Sequence, residues 1–362
     1  MIDFEPNEDQ TLIRDMVQQF AENEVRPNAR NCDETASIDP GVLDAAHELG
    51  LVANALPEAH GGGGERSAVT GCLIAEELAW GDLSIALAIL SPSLLGHPVA
   101  DFGSEAQQAD VLPSLLTAKF APGSIGWVEP RFGFDPLRPQ TTAKRDGEEY
   151  VLDGTKCFVP WQDGLAQTLV VASEDGELAA FFVPADAEGL SAERESNMGI
   201  QALTTAEITL AGVRVPASAR LGEGGPADLR QVLARGRAAL AAAAVGVSRA
   251  AYEISLEYAK ERETFGAPIA TKQAIAFKLA DMATEIDATR LLAWEAAWRL
   301  DQGLDSFREA TLAFQKAQRT ALVVADGSVQ VFGGHGYIRD FLPEMLLRNA
   351  RGFSTFEALS LV

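Results

Sequence analysis

An α+β fold in three consecutive parts is what this sequence predicts: a helical domain over residues 1–120, a small central β-domain over 121–226 and a helical bundle over 227–362. Three observations predict it. Apolar residues recur at three- and four-residue steps through the first part. Short β-like runs, several parted by Asp-Gly pairs, fill the second. Long segments nearly free of Gly and Pro fill the third, and they are too long for isolated surface helices.

In the first part, Asp9 to Val25 places Leu12, Ile13, Met16, Val17 and Phe20 on one helix face. Val42 to Leu49 reads as a short second helix. The run Gly61 to Gly64 has no strand before it and no Lys-Ser/Thr after it, so it reads as a flexible turn rather than a phosphate loop. Helices are expected from Ser67 to Trp80 and, more apolar, from Leu83 to Phe102. In the second part the β-like runs are Tyr150 to Leu152, Thr168 to Ala172, Ala179 to Val183 and Ala206 to Leu210. Asp146-Gly147, Asp153-Gly154 and Asp175-Gly176 are the expected turns, and Gly222 to Pro226 the exit linker. In the third, Leu233 to Arg262, Lys272 to Gln302 and Ser306 to Val331 are the long helices, with a turn at Phe265-Gly266-Ala267-Pro268.

Composition narrows the function. The 362 residues carry 29 Lys and Arg against 52 Asp and Glu, a net charge of −23. That balance opposes binding to nucleic-acid phosphates or to an anionic membrane. A hydrophobic share of 47% with 22% charged residues is that of a folded globular chain. No run reaches 18 uninterrupted apolar residues, so no bilayer-spanning helix is expected. The start, Met1-Ile2-Asp3-Phe4-Glu5, lacks a signal peptide's basic and apolar character. With Cys32, Cys72 and Cys157 odd in number and far apart, free thiols in a reducing cytoplasm are expected. His47, His60, His97 and His335 form no metal-ligand spacing with them, so no metal is expected.

Three motifs join this layout. They are Tyr258-Ala-Lys-Glu-Arg-Glu-Thr-Phe-Gly266 with Pro268-Ile269 and Gln273; Gln330-Val-Phe-Gly-Gly-His-Gly-Tyr337; and Leu347-Arg-Asn-Ala-Arg351 leading to Phe356-Glu357. Weaker echoes are Trp127-Val-Glu-Pro130, Tyr150 to Lys156 and Val213-Arg-Val-Pro216. Over essentially its whole length the chain resembles the acyl-CoA dehydrogenase family. The resemblance implies that family's fold, with a C-terminal four-helix bundle, and FAD as cofactor. It also implies lipid-metabolic oxidoreductase chemistry: an α-proton leaves an acyl thioester, hydride passes to the flavin, and an external electron-transfer flavoprotein takes the electrons. A base in a dry pocket must take that proton, and Glu357 falls where many members carry it. The alternative family position is Gly236 here, followed by Arg237. The resemblance assigns Arg262, Phe265, Gln273, Gln330, Gly333 and Gly334 to the diphosphate and adenosine end of a neighbouring subunit's FAD. It assigns Trp127, Val128, Gly133 and Phe158 to the flavin end. A homo-oligomer or a pairing with an unlike dehydrogenase subunit follows, with the Ala-rich stretch Ala238 to Val247 expected to let subunit helices approach closely.

The flavin end departs from the family pattern. Val128 and Phe134 stand where hydroxyl residues are usual, and Phe158-Val159-Pro160 replaces Trp-Ile-Thr. Three lost donors at about 1 kcal/mol each amount to over a hundredfold in affinity. Trp161 is a further stacking candidate. After Glu357 the usual Gly-Thr is replaced by Ala358-Leu359. Besides an acyl-CoA dehydrogenase or one subunit of a heteromeric one, two readings stay open. One is a cofactor-poor structural partner subunit; the other is a flavin enzyme that uses oxygen or acts on an acyl group borne by a carrier protein.

Overall fold

The structure, a computed structural model, describes residues 5–222, 227–353 and 356. The first part is all helix: α1 Glu8–Phe20, α2 Arg26–Thr35, α3 Pro40–Glu48, α4 Ala68–Gly81, α5 Leu83–Ile89, α6 Ser93–Phe102 and α7 Glu105–Val111. Asn7 and Gln10 form a reciprocal capping box that starts α1. The helix does not stop at Val25. A widened π turn, Ala21–Val25, carries it straight into α2. Gly81 makes room for that turn, since a Cβ there would lie 2.7 Å from Val25 Cγ1. Of the expected α1 face only Val17 is fully buried; Leu12 is 69% exposed, so the stripe is narrower than its spacing implies.

Two further readings are corrected by the backbone. The stretch Leu83 to Phe102 is two helices bent by 42°, not one, because Pro92 has no N–H to continue the ladder after Leu90. The glycine run is not a flexible turn. Gly61, Gly62, Gly63 and Gly64 donate their N–H groups to the carbonyls of Glu58, Pro57, Ala53 and Leu56. A Cβ on Gly62 would meet Leu56 O at 2.1 Å, so the loop is packed backbone against backbone. Its donors are used, which also removes any phosphate role.

The second part is a seven-stranded sheet in the order β1-β4-β2-β3-β7-β6, with β5 paired to β4. The strands are β1 Ile125–Gly126, β2 Thr142–Asp146, β3 Glu149–Pro160, β4 Gln167–Glu174, β5 Glu177–Pro184, β6 Leu190–Arg194 and β7 Thr205–Pro216. Asp175 and Gly176, at φ 51° and 92°, form the tight β4–β5 hairpin turn. Asp153-Gly154 is no turn. It sits inside β3 at a register shift against β7, where a Cβ on Gly154 would meet Thr141 Oγ1 at 2.5 Å. Of the expected exit linker, residues 223–226 lie outside the described residues.

The third part contains α8 Leu229–Glu261, α9 Gln273–Asp301, α10 Phe307–Phe332 and α11 Pro343–Gly352, with a hairpin of β8 Glu263–Thr264 and β9 Ala267–Pro268 between α8 and α9. By length and composition α8 could cross a bilayer, but 72% of its most apolar window is buried inside the protein. The Ala-rich stretch serves this chain itself. Ala238 to Val245 are at most 1% exposed, and a Cβ on Gly246 would lie 2.2 Å from Glu76 O of α4. The close approach is therefore between α8 and α4, not between subunits.

Polar ties join the three parts. Asp301, ending α9, accepts from Ser67 Oγ and the Ala68 and Val69 N–H groups, and so caps α4 from across the molecule. Arg348 of α11 holds Asp33 bidentately at 2.8 and 2.6 Å. The buried Asn349 donates to Asp82 at 3.0 Å and accepts the Ile200 N–H of the β-domain at 2.8 Å. The third sequence motif is thus an anchor for all three parts.

Candidate active site

The first two motifs meet at one end of the bundle. Arg262 ends α8, its N–H donating to Tyr258 O at 2.8 Å. Phe265 and Gly266, at φ 52° and 79°, turn the β8–β9 hairpin and leave Phe265 fully exposed. Gly333, at φ 59° and ψ −127°, stops α10 in a conformation open to glycine alone. A cleft of about 500 Å³ lies between these ends, lined by Tyr258, Arg262, Thr264, Lys272, Phe332, Gly333, Gly334 and His335 among others.

Its chemistry is cationic and open. Arg262 and Lys272 bring two positive charges into a chain whose net charge is −23. Nothing lies within 4 Å of where a Gly333 Cβ would stand, and at Gly334 only Tyr337 Oη does, at 3.9 Å. Gly336 differs: its Cβ would meet Val329 O at 2.4 Å, so it serves packing. Tyr258 Oη hydrogen-bonds His335 Nδ1 at 2.9 Å, while His335 stacks on Phe341 and Tyr258 on Phe332 at 4.8 and 4.0 Å. This aromatic wall fixes the cleft floor. Guanidinium, ammonium and two bare glycine backbones fit a diphosphate. Arg262, Gly333 and Gly334 share the cleft; Phe265, Gln273 and Gln330 are exposed nearby in the chain but do not line it.

The second group sits on the β-domain. Trp127 is 1% exposed and its indole N–H donates to Pro136 O at 2.8 Å, so its ring presents no face to a ligand. Val128 O accepts the Cys157 N–H at 2.9 Å. Gly133 is exposed at φ 68° beside the fully exposed Phe132. Phe158 is half-buried at φ 54°, a strained conformation for a bulky residue, costing about 1–3 kcal/mol. Its N–H donates to the Glu195 carboxylate. Trp161 is half-buried, its N–H bonded to Thr204 O. None of these residues lines the bundle cleft. Val128, Phe134 and Pro160 offer no side-chain donor, and the Cys157 and Phe158 amides are already engaged. Phe158 leaves part of its ring exposed there, and the side chains at Val128, Phe134 and Pro160 add no donor beside it.

Glu357 lies outside the described residues. Its covalent neighbour Phe356 is 2% exposed, and its ring meets that of Phe158 at 5.7 Å between centroids. Gly236 lies buried in α8, and beside it Arg237 donates to Thr311 Oγ1 at 2.6 Å. A cavity of about 620 Å³, between α1, the glycine loop, α4 and α6, is lined by none of the predicted site residues.

Sequence reasoning passed over the β-domain's central ion pair. Lys156 is fully buried; its Nζ donates to Glu129 Oε1 at 3.0 Å and to Trp127 O at 3.2 Å. Glu129 also accepts from Arg131, the Gln140 N–H, and the Thr141 N–H and hydroxyl. Burial alone would raise the Glu129 carboxyl, but Lys156 and these donors outweigh it and hold it at about 2. Burial draws the Lys156 ammonium down to about 8 against the pull of Glu129. The pair ties Trp127-Val128-Glu129 to β3, the strand that carries Phe158. Both residues stand within the weaker echoes, and Lys156 facing inward on a buried strand was the available signal.

Comparison with known proteins agrees with this layout. Models of the acyl-CoA dehydrogenase N-terminal, middle and C-terminal domains match residues 7–119, 124–213 and 222–357. A probable acyl-CoA dehydrogenase of Bacillus subtilis is 37% identical, over 97% of this chain and 94% of its own. A chain in the structure of the electron transferring flavoprotein of Acidaminococcus fermentans superposes with a TM-score of 0.88 at 32% identity, covering 97% of this chain and 94% of that one. A glutaryl-CoA dehydrogenase from Mycobacterium smegmatis, solved with FADH2, does so with 0.87 at 28% identity, covering 96% and 90%. The chain belongs to the acyl-CoA dehydrogenase family, oxidoreductases acting on the CH–CH group of acyl-CoA.

Proposed function

We propose that this chain is an FAD-dependent acyl-CoA dehydrogenase subunit that shares its flavin sites with a second subunit, of its own or an unlike kind. The observation that carries this reading is the contrast between its two candidate cofactor surfaces. The bundle cleft with Arg262, Lys272 and bare Gly333-Gly334 suits a diphosphate. The β-domain face, with Phe158 and no hydroxyl at Val128, Phe134 or Pro160, suits a ring and little else. Bound flavin would accept hydride from the β-carbon of an acyl thioester. Phe158 would give that ring system an apolar backing, and Glu357 would take the α-proton. Arg262 would hold the diphosphate through paired N–H donors. Electrons would leave through an external electron-transfer flavoprotein, in the cytoplasm. The α,β-unsaturated acyl thioester is the product.

Expressed alone, the chain is expected to retain well below one FAD per subunit after dialysis, and co-expression with its partner subunit to restore it. Stoichiometric, dialysis-resistant FAD in the chain alone would show that copies of this chain complete the site and would overturn the need for an unlike subunit. In the loaded assembly, Arg262→Ala removes paired charged donors, expected to weaken FAD retention about tenfold or more. Flavin-to-protein absorbance after gel filtration measures it, and an unchanged ratio would place Arg262 outside the site.

A further inference from the structure

Phe158 holds a backbone conformation that its own side chain disfavours. It sits at φ 54°, at a bulge where the β3–β7 register shifts between Lys156 and Val159. Bulky residues leave this left-handed region unless something holds them there. The Phe158 N–H donates to both oxygens of Glu195, at 3.1 and 3.0 Å. The acceptor is itself pinned. Glu195 donates its own N–H to Thr205 O at 2.9 Å, and two residues on Asn197 Nδ2 donates to Thr205 Oγ1 at 2.9 Å. Glu195 thus follows β6, is tied to the start of β7, and its carboxylate reaches across to the bulge. Beyond the bulge, the Phe158 ring packs on Phe356, the residue before Glu357.

We propose that Glu195 is a positioning residue: by accepting the Phe158 N–H with both oxygens it locks Phe158 in the left-handed conformation. That sets the ring toward the flavin side and keeps its contact with Phe356. Returned to the ordinary β region, the Phe158 ring would leave that face of the strand. Glu195 touches no reacting atom. The functional half of this inference rests on the reading of Phe158 as the flavin-side residue; the conformational half does not.

A thermal-unfolding cycle on the flavin-free chain tests the conformational half. Glu195→Ala is expected to lower Tm by roughly 2–4 °C with Phe158 present. In a Phe158→Gly background the same N–H loses its acceptor but there is no left-handed strain to release, so the substitution is expected to cost more than it does with Phe158 present. Equal losses in both backgrounds would overturn the lock. Glu195→Gln, which keeps the shape and one acceptor oxygen, is expected to show the same difference between backgrounds at smaller size should the Ala variant fail to fold. In the flavin-loaded assembly, Glu195→Ala is expected to lower the rate of flavin reduction about tenfold with KM within twofold, because the bound geometry is misplaced rather than lost. An unchanged rate would overturn the functional half. A wild-type assembly that reduces no flavin with any acyl thioester would instead remove the functional reading and leave the cycle standing.

Discussion

Lys156→Met is expected to destabilise the protein by about 2–4 kcal/mol at pH 7, because it takes the buried cation from Glu129 and leaves only the more exposed Arg131 beside it. Glu129 is 5% exposed and cannot turn to water, and it loses a 3.0 Å charged donor. Trp127 O loses its Nζ donor as well. The pH dependence separates this from a simple packing loss. In the wild type the Glu129 carboxyl is held at about 2, below its usual 4.5, so its contribution is complete above about 4.5 and is lost as pH falls toward 2. Without Lys156 the folded carboxyl rises, and that contribution is missing at neutral pH. The gap between wild type and variant should therefore close as pH falls from about 5 to about 2. Tm by scanning calorimetry at pH 7 and pH 3.5 measures it. Glu129→Gln in the same chain removes the stranded charge while keeping an acceptor for the Gln140 and Thr141 amides, and should recover part of the loss. A Tm within 1 °C of wild type at pH 7, or a gap that does not change with pH, would show that the ion pair does not hold the β-domain.

What was legible in the sequence was local. The turn through Phe265-Gly266-Ala267-Pro268 and the end of the last long helix just short of Gly333 were readable from glycine and proline, and both lie where the sequence puts them. What was not legible depends on partners far along the chain. Asp153-Gly154 has the chemistry of a turn, but close packing on Thr141 makes it a bulge inside β3. The small residues of α8 permit close approach, yet which surface comes close was decided by Gly246 against α4. Lys156 meets Glu129 across 27 positions, Phe158 meets Glu195 across 37, and the cap that Asp301 places on Ala68 spans 233. Strands β2 and β6 carry mostly polar, exposed side chains and show no apolar run; their pairing to β3 and β7 defines them. For the site, the cleft side was readable from motifs because glycine and arginine act there through their own chemistry. On the flavin side, sequence showed which hydroxyls are missing but not that the nearby Cys157 and Phe158 amides are already taken.

Glu357→Gln is expected to slow flavin reduction by two orders of magnitude or more, with acyl-CoA binding retained. An α-proton next to a thioester is a weak acid, and a positioned carboxylate contributes on that scale to its removal. Glutamine keeps the side-chain shape and cannot accept the proton. The other family position for the base is the buried Gly236, and the neighbouring Arg237 donates to Thr311 and lies 5.1 Å over the Phe307 ring, a cation where a base would be needed. Phe356 anchors the chain one residue before Glu357, with its N–H on Phe353 O at 3.1 Å and its ring on Phe158. Glu357 is the next residue in sequence after this buried Phe356. Anaerobic stopped-flow reduction of the loaded assembly, at saturating acyl thioester, measures the rate, and titration of the flavin spectrum measures binding. Loss of rate with binding intact assigns the proton transfer to this chain. A Gln variant as fast as wild type would place the base on the other subunit, leaving this chain the diphosphate cleft of Arg262 and Gly333 as its share of the site.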